Sequence, residues 1–240
     1  LTDKDFDERR DLECRVANRM KTDVQAGIDI NDLSAANKLM IRYGRGFLPI
    51  LSKEGMLQSV VFKKDLDKHL RHPSESIDEK KRLLVGAAVS THPEDRDRVE
   101  ALIEHEVDVL IIDASDGHTE YQREMIQFIK AHTSAPVVGG NIVTAQGFRF
   151  LAEAGADAIK VGMGIGSGGT TQEVKATGRG QGTTLMETGA ARDQWLKDHG
   201  AYLPIIADGG VAGPAEMSVG LALGADAIMM GNFFARYTES

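Results

Sequence analysis

The stretch Lys160-Val161-Gly162-Met163-Gly164-Ile165-Gly166-Ser167-Gly168-Gly169-Thr170-Thr171-Gln172-Glu173 places five glycines in eight positions directly behind an apolar run. That run, residues 158–161, has the length and character of a buried strand. Glycines behind a strand end let backbone N–H groups come close to a ligand and permit positive φ. Such a loop suits phosphate oxygens, or a cation ringed by carbonyls. Each glycine taken singly also fits a plain tight turn.

Working outward, the same unit recurs. From residue 83 onward a short apolar run is followed by a turn of Gly, Asp, Ser or Asn and then by an amphipathic stretch. The runs are residues 83–89, 107–112, 136–140, 158–161, 203–207 and 227–230, each apolar on both faces as buried parallel strands are. Between them Val99, Leu102 and Ile103 keep helical spacing, as do Met125, Phe128 and Ile129. Pro93 and Pro214 stand where first-turn prolines are favoured. Alternating strand and helix predicts a parallel α/β fold. Polar and glycine residues gather behind the strands, at 113–117, 139–144, 162–171, 208–210 and 231–232. A (β/α)8 TIM barrel builds its active site on that rim, whereas a doubly wound sheet gathers ligands at one switch point. The evenness predicts the barrel. Six units are visible where closure needs eight, so either two strands precede residue 1 or parallel edges stay open.

Residues 1–75 have another rhythm. Residues 29–43 read as a helix capped by Asn31 or Asp32, with Leu33, Ala36, Leu39 and Met40 as its stripe. Residues 47–51 and 57–62 flank Ser52-Lys53-Glu54-Gly55 and read as a hairpin. This small α+β module is separated by the polar segment His72-Pro73-Ser74-Glu75-Ser76 from a barrel domain at 76–240. Residues 1–21 are too charged to assign.

Composition narrows the function classes. A chain of 240 residues, 42% hydrophobic, can bury a sizeable core. A net charge of −8 argues against nucleic acid or an anionic membrane as partner. An anionic ligand would have to be bound by local dipoles. The single cysteine, Cys14, forms no internal disulfide, in keeping with a reducing cytoplasm. No stretch approaches the ~18 apolar residues of a membrane span, and no basic-then-apolar leader opens the chain. The first residue is Leu, so further residues are expected before it.

Several side chains are candidates for ligand contact. Asp208, between an apolar strand and glycines, could accept hydrogen bonds from ribose hydroxyls or cap the next helix. Asp113, with Ser115, could grip a second sugar or act as a cap. Asn141, after Gly139-Gly140, is an amide donor or a turn residue. His92 and His118 fall on loops and read as solvated surface.

The glycine loop, Gly178-Arg179-Gly180-Gln181, Asp113-Ala114-Ser115-Asp116-Gly117, Gly139-Gly140-Asn141-Ile142-Val143-Thr144, Asp208-Gly209-Gly210 and the final Phe233-Phe234-Ala235-Arg236-Tyr237-Thr238-Glu239-Ser240 together closely resemble the inosine monophosphate dehydrogenase family. The resemblance runs through essentially the whole chain. It implies a (β/α)8 barrel with two CBS modules inserted between barrel strands 2 and 3. The visible strands would then be strands 3–8, and residues 22–64 most of the second CBS module, a region that takes purine nucleotides. It further implies a mobile flap beyond strand 8, a cytoplasmic homotetramer, and NAD-dependent oxidation of inosine monophosphate to xanthosine monophosphate. In that chemistry a cysteine thiolate attacks purine carbon 2 and the resulting thioimidate is hydrolysed, which splits a hard reaction into two easier steps.

Carried over by position, the resemblance assigns Ser167, Gly210, Gly231 and Asn232 to the substrate with its phosphate, and Asp208 to the ribose. Asp113, Ser115, Asn141, Gly162 and Gly164 fall on the NAD side. Gly164, Gly166 and Gly169 would offer carbonyls to potassium, and Thr171 would sit beside the hydrolytic water. The family nucleophile falls on Gly169, which has no atom that can attack. No histidine or lysine in the loop stands ready to activate Thr170 or Thr171, and Cys14 lies in the other region. The chain is therefore expected to bind nucleotides better than it turns them over. Two rival readings remain. One is guanosine monophosphate reductase, which shares the barrel and uses NADPH but usually lacks CBS modules. The other is a non-catalytic, nucleotide-binding regulatory relative.

Overall fold

A computed structural model describes residues 13–80, 82–166 and 168–238. The chain divides between Ile77 and Asp78 into two compact units.

The first unit contains β1 (Gly27–Ile28), α1 (Leu33–Tyr43), β2 (Phe47–Leu51), β3 (Leu57–Phe62) and α2 (Lys63–Arg71). Of the two cap candidates Asp32 does the work: its carboxylate accepts the N–H groups of Ser34 and Ala35, satisfying donors that the first helical turn leaves open. Gly44, at φ 62°, ends the helix in the left-handed conformation. β2 and β3 form the antiparallel hairpin and β1 adds to β2 in parallel. Ala36 and Met40 of α1 pack with Leu48, Ile50 and Leu66 into a small core. Helix α2 escaped sequence reading because its residues are mostly charged; among those whose side chains are described, Leu66 joins that core. Of the charged opening stretch, residues 1–12 lie outside the described residues, and Val16–Asn18 form a single 3-10 turn.

The second unit alternates strand and helix: β4 (Gly86–Val89), α3 (Asp95–Glu104), β5 (Val109–Ile112), α4 (Glu120–His132), β6 (Val137–Ile142), α5 (Ala145–Ala154), β7 (Ala158–Val161), α6 (Thr171–Lys175), α7 (Gln181–His199), β8 (Ile205–Asp208), α8 (Pro214–Ala222) and β9 (Ala227–Met229). The six strands run parallel in chain order, β4-β5-β6-β7-β8-β9. This is an α/β fold with one curled six-stranded parallel sheet. Val99, Met125, Ile126, Ile129, Phe148, Leu151 and Leu185 cover the strand residues Leu110, Ile112, Val137, Ile159 and Ile205. Among the described residues β4 and β9 pair on one side only.

Details depart from the sequence pattern. Residues 83–85 precede β4 instead of belonging to it, and α3 starts at Asp95, leaving Pro93 in the preceding turn. Pro214 is in the first turn of α8 as expected. Helix α7 buries Thr184, Thr188, Gly189 and Ala191 beside Leu185, a stripe of small residues that hydrophobic periodicity does not register.

At the N-terminal ends of the strands three aspartates do the same job. Asp108 accepts the N–H of Val85 at 2.8 Å, Asp157 that of Val137 at 2.7 Å, and Asp226 that of Ile205 at 2.8 Å. Each immediately precedes a strand and reaches the foot of the strand before it, tying β4 to β5, β6 to β7 and β8 to β9. The sequence repeats Val107-Asp108-Val109, Ala156-Asp157-Ala158 and Ala225-Asp226-Ala227 encode these ties. A carboxylate accepting a backbone N–H is a strong, charge-assisted bond.

Candidate functional site

The site lies where the C-terminal ends of β5, β6, β7 and β8 converge, and two glycines permit that convergence. A Cβ on Gly162, at φ +132°, would fall 1.9 Å from the carbonyl oxygen of Asp208. One on Gly140 would fall 2.6 Å from the carbonyl oxygen of Lys160. Larger residues would force β6, β7 and β8 apart.

The β6–β7 register slips between Gly140 and Ile142, a bulge that takes Asn141 out of the ladder. The Asn141 amide then donates to Gly162 O at 2.7 Å and to Asp208 Oδ2 at 3.0 Å. Lys160, only 4% exposed, is the penultimate residue of the apolar strand β7 beneath them. Its ammonium lies 2.5 Å from Asp208 Oδ2 and 3.5 Å from Asp113 Oδ1. A buried ammonium is costly unless paired, and the two carboxylates supply the pairing. Among the described residues Asp208 Oδ1 accepts no hydrogen bond, nor does the buried Asn141 Oδ1.

The glycine loop is fastened at both limbs. Met163 pairs with Arg179 as an isolated antiparallel bridge. Arg179 donates to Val143 O at 3.0 Å and pairs with Glu187. The Ala145 N–H, followed by Arg179, holds the Glu187 carboxyl below the usual glutamate range. Gln181 donates to Val161 O at 3.0 Å. On the other side Lys175 of α6 reaches across to Ser115 Oγ at 2.7 Å.

Asp113, Asn141, Lys160 and Asp208, with the glycine loop, line an open pocket of about 390 Å³. Of the residues expected at the site, Asp113, Ser115, Asn141 and Asp208 line it, and so do Gly162, Gly164, Gly166, Gly169 and Thr171. Gly210 instead lines a neighbouring groove with Gln181 and Leu185 of α7 and Val219 of α8. Gly231 and Asn232 follow β9 and do not line the pocket, and Ser167 lies outside the described residues. His92 and His118 are on loops, the latter with its ring 4.6 Å from that of Phe150. Sequence reading missed Lys160, Lys175, Arg179 and Glu187. Lys160 carried a signal: a lysine in an otherwise apolar buried strand needs a carboxylate partner.

The open acceptor at Asp208 Oδ1, on a side chain 26% exposed, matches hydroxyl donors such as those of a sugar. No group of three or more His, Cys, Asp or Glu able to hold a metal ion occurs among the described residues. Gly164, Gly166 and Gly169, expected to offer carbonyls to a cation, all line the pocket. No helix among the described residues is long and apolar enough to cross a membrane.

The chain is 44% identical over 210 residues to inosine-5′-monophosphate dehydrogenase of Tritrichomonas foetus, covering 87% of this chain and 42% of that protein. It is 38% identical over 241 residues to the enzyme of the same name from Toxoplasma gondii, covering 100% of this chain and 43% of the relative. The chain thus spans about two-fifths of the length of these relatives. Among solved structures, a variant of Trypanosoma brucei GMP reductase in complex with guanosine 5′-monophosphate matches with a TM-score of 0.78 at 31% identity, over 87% of this chain and 43% of the other. The profile of the IMP dehydrogenase / GMP reductase domain matches residues 15–240, and the chain belongs to that family.

Proposed function

We propose that this chain is the larger part of the catalytic barrel of an NAD-dependent inosine monophosphate dehydrogenase, joined to part of a CBS module. The observation that carries the proposal is the convergence of Asp208, Lys160, Asn141 and Asp113 with the glycine loop around one pocket. In this reading the six strands are strands 3–8 of a (β/α)8 barrel, and residues 22–64 are most of a CBS module that takes purine nucleotides. Asp208 Oδ1 receives the ribose hydroxyls of inosine monophosphate. Backbone groups of the loop, with Ser167, Gly210 and Gly231, would meet its phosphate, which would then reach beyond the pocket lining, and Asn232 would lie on the substrate side.

Asp113, Ser115 and Asn141 face the NAD side, with Gly162 and Gly164 near the nicotinamide. Bound NAD supplies the acceptor for a hydride. The carbonyls of Gly164, Gly166 and Gly169 would hold potassium and so fix the loop. Thr171 lies at the pocket wall, where a hydrolytic water would be held. The family nucleophile falls on Gly169, so this chain's own groups bind and orient nucleotide but offer no thiolate to attack it. We place the protein in the cytoplasm as a homotetramer, as the family resemblance implies.

GMP reductase is the second reading, favoured by the solved structures that the chain resembles. Calorimetric titration with inosine monophosphate, guanosine monophosphate, NAD and NADPH, combined with absorbance of reduced nicotinamide, separates the two. We expect tight inosine monophosphate binding, NAD preferred over NADPH, and no NADH formation. In a chain extended to the length of its relatives, Gly169→Cys is expected to restore NADH formation. Turnover by the Gly169 protein, or oxidation of NADPH with guanosine monophosphate, would overturn the reading.

A further inference from the structure

Lys160 is the one pocket residue whose charge is almost completely withdrawn from water, with its side chain 5% exposed. Both carboxylates that it meets are open to the pocket: the Asp208 side chain is 26% exposed and that of Asp113 69%. The distances are unequal, 2.5 Å to Asp208 and 3.5 Å to Asp113, so the lysine is first of all the partner of Asp208. It meets Oδ2, the oxygen that also accepts the Asn141 amide at 3.0 Å. Two donors on one oxygen fix the carboxylate plane and leave Oδ1, with both lone pairs, turned to other partners.

We infer that Lys160 is a positioning residue: by holding Oδ2 of Asp208 it presents Oδ1 to a sugar diol, and so makes the pocket select ribonucleotides over 2′-deoxyribonucleotides. The inference rests on the reading that Asp208 faces the ribose, and deepens it. The physical reason is cost. A carboxylate free to rotate would have to be ordered each time a sugar diol binds, and a ligand without the diol does not need that order. A lysine fixed below the sugar removes this cost without touching the ligand. The position also requires Gly140, because the Lys160 backbone presses against it: an added Cβ there would lie 2.7 Å from Lys160 Cβ.

The test is calorimetric titration of the 240-residue chain with inosine monophosphate and with its 2′-deoxy and 2′,3′-dideoxy analogues. The proteins are the wild type, Lys160→Arg, Lys160→Met, and Lys160→Met combined with Asp208→Asn, each checked for native circular dichroism. The wild type is expected to prefer the ribonucleotide over the dideoxy analogue by roughly 10- to 100-fold, the worth of hydrogen bonds to a charged acceptor. In Lys160→Met that preference should collapse to about threefold or less while affinity for the dideoxy analogue changes by about twofold at most. Lys160→Arg should keep most of the preference. The doubly neutral variant, which buries no unpaired charge, marks the preference that is left once the Asp208 carboxylate is gone, and Lys160→Met should fall to that level. A preference undiminished in the lysine variants overturns the role of Lys160 and leaves the functional reading standing. Equal weakening of all three ligands likewise overturns it, in favour of a bulk electrostatic effect. A wild type that binds none of the three overturns the functional reading, and this inference with it.

Discussion

At the N-terminal end of the sheet Asp108, Asp157 and Asp226 each accept a backbone N–H from the foot of the neighbouring strand, whereas at the C-terminal end Asp113 and Asp208 share the ammonium of one buried lysine. Two of the first set, Asp157 and Asp226, are spent on both oxygens inside the protein. Asp157 also takes Lys130 at 3.0 Å, and Asp226 takes Arg192 at 3.0 Å together with Tyr202. The second set keeps an oxygen open. One residue type therefore fastens the strands at one end and prepares a binding surface at the other, in line with the division of parallel barrels into a stability face and an activity face.

The sharpest way to break this contrast is to force the C-terminal ends apart. Gly162→Ala places a Cβ against Asp208 O and asks alanine for φ +132°, so a loss of roughly 3 kcal/mol is expected in urea unfolding, with nucleotide binding abolished. A loss under ~1 kcal/mol would mean that the strands do not need this closeness. Next in size, Asp208→Ala should weaken inosine monophosphate binding by roughly 10- to 100-fold and, because it leaves the buried Lys160 ammonium only Asp113 at 3.5 Å, cost about 2–3 kcal/mol in urea unfolding. Asp157→Ala should cost about 1–2 kcal/mol of stability while calorimetry finds nucleotide affinity intact. Equal effects of the two substitutions on both readouts would erase the distinction.

Acid provides a finer test. Burial pushes the Asp226 carboxyl up, but Tyr202, the Ile205 N–H and Arg192 together hold it below the usual aspartate range. A depressed folded pKa contributes stability that is present above the ordinary aspartate pKa and lost as pH falls through the folded value. The urea midpoint should thus drop on acidification below about pH 4, and less steeply in Asp226→Asn. Parallel profiles would show that the tie carries no such linkage. The smallest effect belongs to Gly169→Cys. An added Cβ meets nothing within 4 Å, so the midpoint should move by less than ~0.5 kcal/mol, and a larger loss would mean that the loop needs glycine there.

Much of this was legible beforehand for identifiable reasons. The doubly apolar runs announced a parallel sheet because strands buried on both faces have no polar alternation to hide them. The glycine and acid clusters behind the runs placed the pocket, since such residues have little use in a buried strand. What stayed hidden depended on three dimensions. Helix α7 buries small residues and α2 is mostly charged, so neither offers an apolar stripe. Lys160 was read as the start of the glycine loop, although its meaning lies in Asp208, 48 positions away in the chain. Likewise, the Arg179 and Glu187 pair reaches back to Val143 and Ala145, a contact that spacing along the sequence does not encode.

The most direct measurement is a crystal structure of the chain grown with inosine monophosphate. The account predicts the sugar hydroxyls within hydrogen-bonding distance of Asp208 Oδ1, Lys160 still on Oδ2, and the phosphate against the glycine loop. A nucleotide bound elsewhere, or strand ends packed shut over Asp208, would contradict it.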